Sequence, residues 1–154
     1  MTEPQHTDER AIDGMLCFSL YAASRATTQV YRRLLKPSGL TYPQYLVLLE
    51  LWEHESLTVS DLGRDLALDS GTLSPLLSRL ENLGHVARTR STADARVVTI
   101  ALTASGRALR AELAHVPGEV FRCMAVSPAT ARAMLANLRA YTDAVEASNI
   151  AASV

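Results

Sequence analysis

The two cysteines are the side chains of this chain best suited to covalent chemistry. Cys17 lies near the start of the sequence and Cys123 near its end, a spacing that fits neither a disulfide framework nor a metal site with paired ligands. A thiol reacts with oxidants as the thiolate. A cysteine without a second cysteine nearby can also form a thiolate. The pattern leaves redox chemistry open, excludes a structural zinc site, and leads us to expect neither a metal nor a cofactor.

A group of arginines suggests a second kind of chemistry, the binding of nucleic acid. The whole chain has a net charge of -1 and a single lysine, Lys36, so any positive surface must come from local clustering. Between residues 79 and 96 four arginines face only two acidic residues, and these six are Arg79, Arg88, Arg90, Arg96, Glu81 and Asp94. Arginine forks bind phosphates and guanine edges. On charge alone, an ordinary solvated face remains the alternative.

Hydrophobic periodicity places most of the chain on helices. A first helix is predicted over about residues 8–36, before Pro37 and Gly39, and a second begins at Thr41, where Gln44 completes a capping box. A third helix starts at Thr58. A fourth follows the turn at residues 68–71, and a glycine at position 84 ends it.

The fourth helix has two dissimilar faces. One face carries the leucines at positions 73, 76, 77 and 80. The other carries small or cationic side chains, at Thr72, Ser74, Pro75, Ser78 and Arg79. An ordinary solvated helix favours Glu and Lys at such positions because their helix propensity is higher. Small hydroxyl groups can approach the floor of a DNA groove closely.

The remaining elements complete a winged helix-turn-helix. Residues 85–90 and 97–102 are β-prone and are joined by the polar loop 91–95, and Thr103 is a predicted N-cap for a fifth helix. A short helical piece is expected around Cys123, and a last helix starts at Ser127 and Pro128. Its apolar stripe, made by Met134, Leu138, Tyr141 and Val145, requires a partner surface.

These elements predict a mainly α fold with a small β-hairpin wing, in one domain over residues 1–154. The DNA-binding region covers about residues 42–103, and helices at about 8–36 and 104–147 form a homodimer. A twofold dimer presents two recognition helices about one DNA turn apart and so reads a pseudopalindromic operator in double-stranded DNA. An all-α enzyme or adaptor with an incidental hairpin is the competing interpretation.

Several stretches resemble the MarR family of dimeric winged-helix regulators. They are DSGTLSPLLSRLE at residues 69–81, RTRS at 88–91, and DAR at 94–96 ahead of Leu102 and Thr103. Two more, LCFSLYAASR at 16–25 and LTYPQYLVLL at 40–49 with WEHE at 52–55, resemble its organic hydroperoxide resistance branch, OhrR. The resemblance runs from about residue 16 to residue 118.

This resemblance implies that Cys17 is a peroxidatic cysteine. The residues one helical turn away are Asp13 and Tyr21, so no nearby cation would stabilise a thiolate. In the family, tyrosine hydroxyls do so across the dimer interface, and the matching positions here are Tyr31 and Tyr42, with Tyr21 as a further candidate. The implied inducer is an organic hydroperoxide, which apolar neighbours of the thiol would suit.

The resemblance also implies roles for Cys123 and for the DNA-binding residues. In the two-cysteine branch, a cysteine at a position comparable to Cys123 resolves the sulfenic acid of the other subunit; capping by a small cellular thiol is the alternative. The family's recognition-helix positions match Ser70, Thr72, Ser74, Pro75 and Arg79. Arg96 matches the minor-groove arginine of the wing, Asp94 would orient it, and Arg88 and Arg90 are candidate phosphate anchors.

Two other functions remain open. A MarR-type repressor could be released by a non-covalent aromatic ligand with both cysteines incidental, and a thiol peroxidase would consume peroxide repeatedly without binding an operator. The chain lacks a Cys-x-x-Cys pair, which disfavours the enzyme. No apolar run reaches the ~18 residues of a membrane span, and no secretion signal is evident, so we expect a cytoplasmic protein without a membrane partner.

Overall fold

The computed structural model describes residue 12, residues 14–92, residue 94 and residues 96–152. Asp8, where the first helix was expected to start, Asp13, and two residues of the predicted wing loop, Ala93 and Ala95, lie outside this part. The chain divides into two compact units, residues 1–117 and residues 118–154. The assignment of residues 1–154 to one domain stays a prediction.

The first unit contains most of the helices and all of the described strands. Its elements in chain order are α1 (Leu16–Leu35), a 3-10 turn (Lys36–Ser38), α2 (Tyr42–His54), β1 (Ser56–Thr58), α3 (Val59–Asp65), α4 (Ser70–Asn82), β2 (Val86–Arg90), β3 (Val98–Leu102) and α5 (Ala104–Glu112). Helix α6 (Val116–Met124) begins in this unit, and α7 (Pro128–Ala152) lies in the second. The prediction of a mainly α fold with a small β wing is confirmed.

Side chains at the helix starts satisfy backbone N–H groups that have no partner within the helix. Thr41 and Gln44 form the predicted capping box at α2. Thr58 and Thr103 accept hydrogen bonds from backbone N–H groups three residues ahead, at α3 and α5. These caps fix where the helices begin, as the sequence predicted.

The wing is part of a three-stranded antiparallel sheet in the order β1-β3-β2. The predicted hairpin is confirmed, with Val86 opposite Leu102 and Arg90 opposite Val98. The third strand was not predicted. Residues 56–58 pair with β3, Leu57 opposite Ile100, and three residues are too few to show a strand periodicity.

Two helix boundaries differ from the prediction. Ile12 and Gly14 lie in turns, and α1 begins at Leu16, where Met15 provides no side-chain cap. A glycine just ahead of the helix disfavours its extension toward the N-terminus. Helix α7 runs to Ala152, beyond the expected end near residue 147.

The core of the first unit is built from the apolar faces of α2, α3 and α4 against the sheet. Leu48, Leu62, Leu77 and Ile100 are fully buried. Trp52 is buried too, and its indole N–H donates a 2.8 Å hydrogen bond to the Gly106 carbonyl. This bond joins α2 to α5, so the winged part is tied to the helix that leaves it. Within the described residues no helix is both long and apolar enough to cross a membrane.

Candidate nucleic-acid interface and redox site

Helix α4 presents the polar face expected of a recognition helix. Its leucines at 73, 77 and 80 are buried, whereas the predicted DNA-binding residues are all exposed, namely Ser70, Thr72, Ser74, Pro75 and Arg79. Asp69 caps the helix, accepting 2.8 Å and 2.9 Å hydrogen bonds from the backbone N–H and the hydroxyl of Thr72. These bonds hold the pKa of Asp69 below its usual value. The cap anchors the first turn of the exposed face.

The tip of the wing carries the Asp94 and Arg96 pair. The Asp94 carboxylate accepts a 2.9 Å hydrogen bond from the Arg96 backbone N–H and lies 3.5 Å from the Arg96 Nε. The Arg96 side chain is 94% exposed. A backbone bond of this kind fixes the loop. The guanidinium extends into solvent, where it is free to enter a DNA groove.

The two other wing arginines lie in different surroundings. Arg90 is exposed at the end of β2. Arg88 is half-buried against α4, where its Nη2 donates to the Ser74 carbonyl at 3.2 Å and to the Ser78 hydroxyl at 2.8 Å. Its Nε lies 3.2 Å from a Glu81 carboxylate oxygen without hydrogen-bonding geometry. Arg88 therefore joins the wing to the recognition helix, a contact that the sequence analysis missed.

Cys17 is exposed in the first turn of α1. Tyr21 follows one turn later on the same face and is 55% exposed. Its hydroxyl accepts a 2.9 Å hydrogen bond from Arg25, whose guanidinium carbon also lies 5.6 Å from the tyrosine ring centroid. The bond raises the pKa of Arg25 above its usual value. The thiol thus lies beside a phenol that is already paired with a cation.

The other two predicted tyrosines form one aromatic cluster. Tyr31 in α1 stacks on Tyr42 at the start of α2, with ring centroids 4.0 Å apart and an interplanar angle of 20°. Tyr45 extends the cluster, its ring centroid 5.9 Å from that of Tyr31. Burial, with a smaller contribution from Tyr42, raises the pKa of Tyr31 to about 12. At neutral pH Tyr31 is therefore a phenol that can donate a hydrogen bond.

The second unit holds Cys123 and a largely apolar helix. Cys123 is exposed on α6. On α7 the predicted stripe is exposed over most of its length, with Met134 at 50%, Leu138 at 43%, Tyr141 at 37% and Val145 at 40%. Such a contiguous apolar surface is typical of a protein interface.

No group of three or more His, Cys, Asp or Glu side chains that could hold a metal ion occurs in the part of the chain that the structure describes. The candidate side chains for redox chemistry and phosphate binding are thiols, phenols and arginines. Among these, Arg25 and Tyr45 were not singled out from the sequence. Their i+4 and i+3 spacing from Tyr21 and Tyr42 was the one signal that could have identified them.

The fold and the exposed α4 face define a winged-helix DNA-binding regulator. A solved structure of reduced AbfR bound to DNA is 36% identical, with a TM-score of 0.73, and the match covers 84% of this chain and 91% of that one. AbfR is a protein of Staphylococcus epidermidis. A structure of its disulfide form is 39% identical, with a TM-score of 0.63 and 82% and 89% of the two chains covered.

Sequence comparisons identify the family of this chain. The family model for the transcriptional regulator SarA/Rot matches residues 29–113. The regulator TtmR of Methylorubrum extorquens is 46% identical over 96% of this chain and 75% of its own length. The organic hydroperoxide resistance transcriptional regulator of Bacillus subtilis is 49% identical over 73% of this chain and 77% of its own. The chain belongs to the MarR-like SarA/Rot family of winged-helix transcriptional regulators and is close to OhrR.

Proposed function

We propose that this regulator is a dimeric repressor that organic hydroperoxides release from its operator by oxidising Cys17. The observation that carries the proposal is the position of an exposed thiol on α1, the helix that also supplies Tyr21 and Tyr31. The similarity to a regulator named for organic hydroperoxide resistance supports it. Because its proposed target is an operator in double-stranded DNA, the repressor acts in the cytoplasm.

The oxidation step is a two-electron transfer from sulfur to the peroxide. The Cys17 thiolate attacks the terminal peroxide oxygen, an S–O bond forms as the O–O bond breaks, and the alkoxide takes up a proton and leaves as an alcohol. The product at Cys17 is a sulfenic acid. Hydrogen bonds to a thiolate stabilise the anion, and Tyr31 and Tyr42 of the partner subunit supply them. A phenol that stays protonated to high pH is suited to that role.

A disulfide with Cys123 of the partner subunit follows. The Cys123 thiol attacks the sulfenic sulfur, an S–S bond forms, and water leaves with the sulfenic oxygen. A disulfide requires its two Cα atoms to lie within ~7 Å. Where the reduced dimer holds them farther apart, closing the bond deforms the helices that space the two winged regions, and the operator is lost. That AbfR has a disulfide form as well as a DNA complex supports this route.

The exposed apolar stripe of α7 supplies much of the dimer interface. Burying large side chains such as Met134 and Leu138 stabilises association by about 25 cal/mol per Å² of apolar area removed from water. Leu16 in the first turn of α1 and Met15 just ahead of it add exposed apolar side chains. Sensor and interface residues therefore share one helix.

DNA is read by the exposed face of α4 and by the wing. Ser70, Thr72, Ser74, Pro75 and Arg79 face the major groove, and Arg96, oriented by Asp94, enters the minor groove. Arg90 contacts phosphate. Arg88 was also predicted to bind phosphate. Its main role is to hold the wing against α4, because one terminal nitrogen of its guanidinium already donates to Ser74 and Ser78.

Operator binding with and without an organic hydroperoxide tests the proposal. The wild type should lose affinity on treatment with cumene hydroperoxide and form a reducible dimer on a non-reducing gel. Cys17→Ser should stay bound. Cys123→Ser is the matched control, since it removes the other thiol and should still form a sulfenic acid, but no intersubunit disulfide. Release of Cys17→Ser by the peroxide would contradict the proposal.

A cleft in the first unit favours a second candidate, release by a non-covalent aromatic ligand. It has a volume of about 380 Å³ and is lined by residues that include Leu34, Ser38, His85, Leu109 and His115. BpsR of Bordetella bronchiseptica, 25% identical with a TM-score of 0.74, is a protein whose DNA binding 6-hydroxynicotinic acid regulates. Under this candidate a variant lacking both cysteines would still respond to its ligand, which the thiol mechanism forbids.

A further inference from the structure

One arginine of the wing lies against the recognition helix, whereas the others extend into solvent. The Arg88 side chain is 29% exposed, and that of Arg96 at the wing tip is 94% exposed. Arg88 and Arg90 are two residues apart on β2, so their side chains leave the same face of the strand. Arg90 is exposed and lies closer to the wing tip. Arg88 therefore marks the point where the base of the wing meets α4.

The contacts of Arg88 fall on the turn of α4 that contains a proline. Its Nη2 donates to the Ser74 carbonyl at 3.2 Å and to the Ser78 hydroxyl at 2.8 Å. Ser74 directly precedes Pro75, and Ser78 lies one helical turn after Ser74. Because proline has no N–H, Pro75 cannot donate the backbone hydrogen bond that its position in a helix normally gives. The Arg88 guanidinium thus supplies two bonds from outside α4 to the turn in which the helix lacks one.

A carboxylate on the same face of α4 opposes the charge of Arg88. Ser74, Ser78 and Glu81 are spaced i, i+4 and i+7, so they share one face of the helix. A Glu81 carboxylate oxygen lies 3.2 Å from the Arg88 Nε, and that nitrogen is buried without a hydrogen-bond partner among the described residues. Counterion release on DNA requires cations that neutralise phosphates. The charge of Arg88 is already neutralised within the protein, which sets this arginine apart from a phosphate anchor.

We propose that Arg88 is a positioning residue for operator specificity, because it fixes the position of the wing relative to the base-reading face of α4. The inference rests on the proposed function, in which α4 and the wing read adjacent grooves of one operator. Specific binding requires both elements to fit the DNA at once, and a preorganised spacing lowers the cost of that fit. Non-specific binding is held by phosphate contacts alone and does not require the spacing. Loss of Arg88 therefore reduces discrimination between sequences and leaves general affinity for DNA intact.

Affinities for selected and random DNA test this role. The reduced full-length wild type enriches a duplex from a random-sequence library, and the unselected library of the same length serves as non-specific DNA. Arg88→Met keeps an unbranched side chain and removes the donors. It should bind the selected duplex about tenfold more weakly, equivalent to ~1.4 kcal/mol. Its affinity for the library, and the slope of log K against log salt concentration, should stay at the wild-type values, whereas a protein that was only destabilised would lose both affinities together.

Two further variants separate positioning from charge. Ser78→Ala removes the hydroxyl that accepts from Arg88 and raises the helix propensity of α4, so the fold is kept. It should lower the ratio of selected to random affinity about threefold, as expected for one hydrogen bond, and should add nothing to Arg88→Met, which has already lost the donor. Arg90→Met is the matched control on the same face of β2. It should weaken both DNAs equally and lower the salt slope by ~1.

Three results would overturn the inference. The first is an Arg88→Met variant that behaves like Arg90→Met, which would make Arg88 a phosphate anchor. The second is an Arg88→Met variant that binds the selected duplex as tightly as the wild type does, and the third is full additivity of Arg88→Met with Ser78→Ala. If Arg88→Met does not fold by circular dichroism, Ser78→Ala decides alone, and an unchanged ratio in that variant overturns the inference. Failure of the proposed function is distinct, since the wild type then enriches no sequence from the library.

Discussion

Replacing Gly106 with alanine should disrupt the contact between α5 and the start of the wing. A Cβ added there would lie 2.0 Å from the His85 carbonyl oxygen, 3.0 Å from its carbon and 3.1 Å from Leu102 Cδ2. The His85 oxygen cannot rotate away, because it is backbone and accepts a 3.1 Å hydrogen bond from the Thr103 N–H. Since carbon and oxygen pack at roughly 3.5 Å, α5 must move by about 1 Å or more.

The expected loss of stability in Gly106→Ala is the sum of three contributions to the free energy of unfolding. Overpacking of a rigid site costs about 1 to 3 kcal/mol. Moving α5 also weakens the bonds from Trp52 to Gly106 and from Thr103 to His85, at about 1 kcal/mol each. The better helix propensity of alanine offsets about 1 kcal/mol. The net expectation is a loss of about 2 to 4 kcal/mol.

Gly118→Ala is the matched control, because that glycine also lies in a helix and a Cβ there would meet nothing within 4 Å. It should stabilise the protein by up to about 1 kcal/mol. Both variants are measured by urea unfolding at one protein concentration, since the proposed dimer would make stability depend on concentration. A loss below about 1 kcal/mol in Gly106→Ala would refute the close approach of α5 to His85.

Three further outcomes follow from the same structure. Arg96→Ala should weaken operator binding about tenfold and lower the salt dependence by ~1, without changing Cys17 oxidation; an unchanged anisotropy titration would contradict the wing assignment. Because the pKa of Tyr31 is raised to about 12, its contribution to stability is complete below pH ~10 and is lost as the pH rises through ~12. In a phenolate absorbance titration, Tyr31→Phe should therefore remove the last ionisation, and a wild type fully ionised near pH 10.5 would argue against the buried phenol. Asp69→Ala should lower the melting temperature and operator affinity by uncapping α4, whereas Asp69→Asn, which can still cap the helix, should preserve the melting temperature; equal losses in both variants would indicate that charge, not the cap, matters. Since the pKa of Asp69 is lowered, its stabilising contribution is present above pH ~4 and is lost as the pH falls through the folded-state value.

The sequence by itself determined the helices and their caps, because these depend on residues three or four positions apart. Thr41 with Gln44 and the Thr103 cap could be identified without knowing what packs on them. The two faces of α4 could also be predicted, since leucines at helical spacing form an apolar face that is buried whatever element packs on it. The hairpin followed from alternation, which is equally local.

The sensor assignment required more than spacing. Periodicity alone placed Cys17 on a helix, and only the resemblance to a family singled it out with Tyr31 and Tyr42. The structure brings the two tyrosines into one stack, yet in the proposed dimer the partners of Cys17 would belong to a second chain. Their assignment therefore stays a proposal.

Tertiary structure decided the contacts between residues far apart in the chain. Strand β1 exists only because β3, more than forty residues later, offers it backbone partners. From the sequence, Arg88 was predicted to be a phosphate anchor. In the folded chain it lies against Ser74 and Ser78. The tight packing at Gly106 likewise depends on His85 and Trp52 reaching it from separate elements. Local sequence patterns cannot predict such contacts, because the contacting residues are far apart in the chain and meet only after long loops have closed.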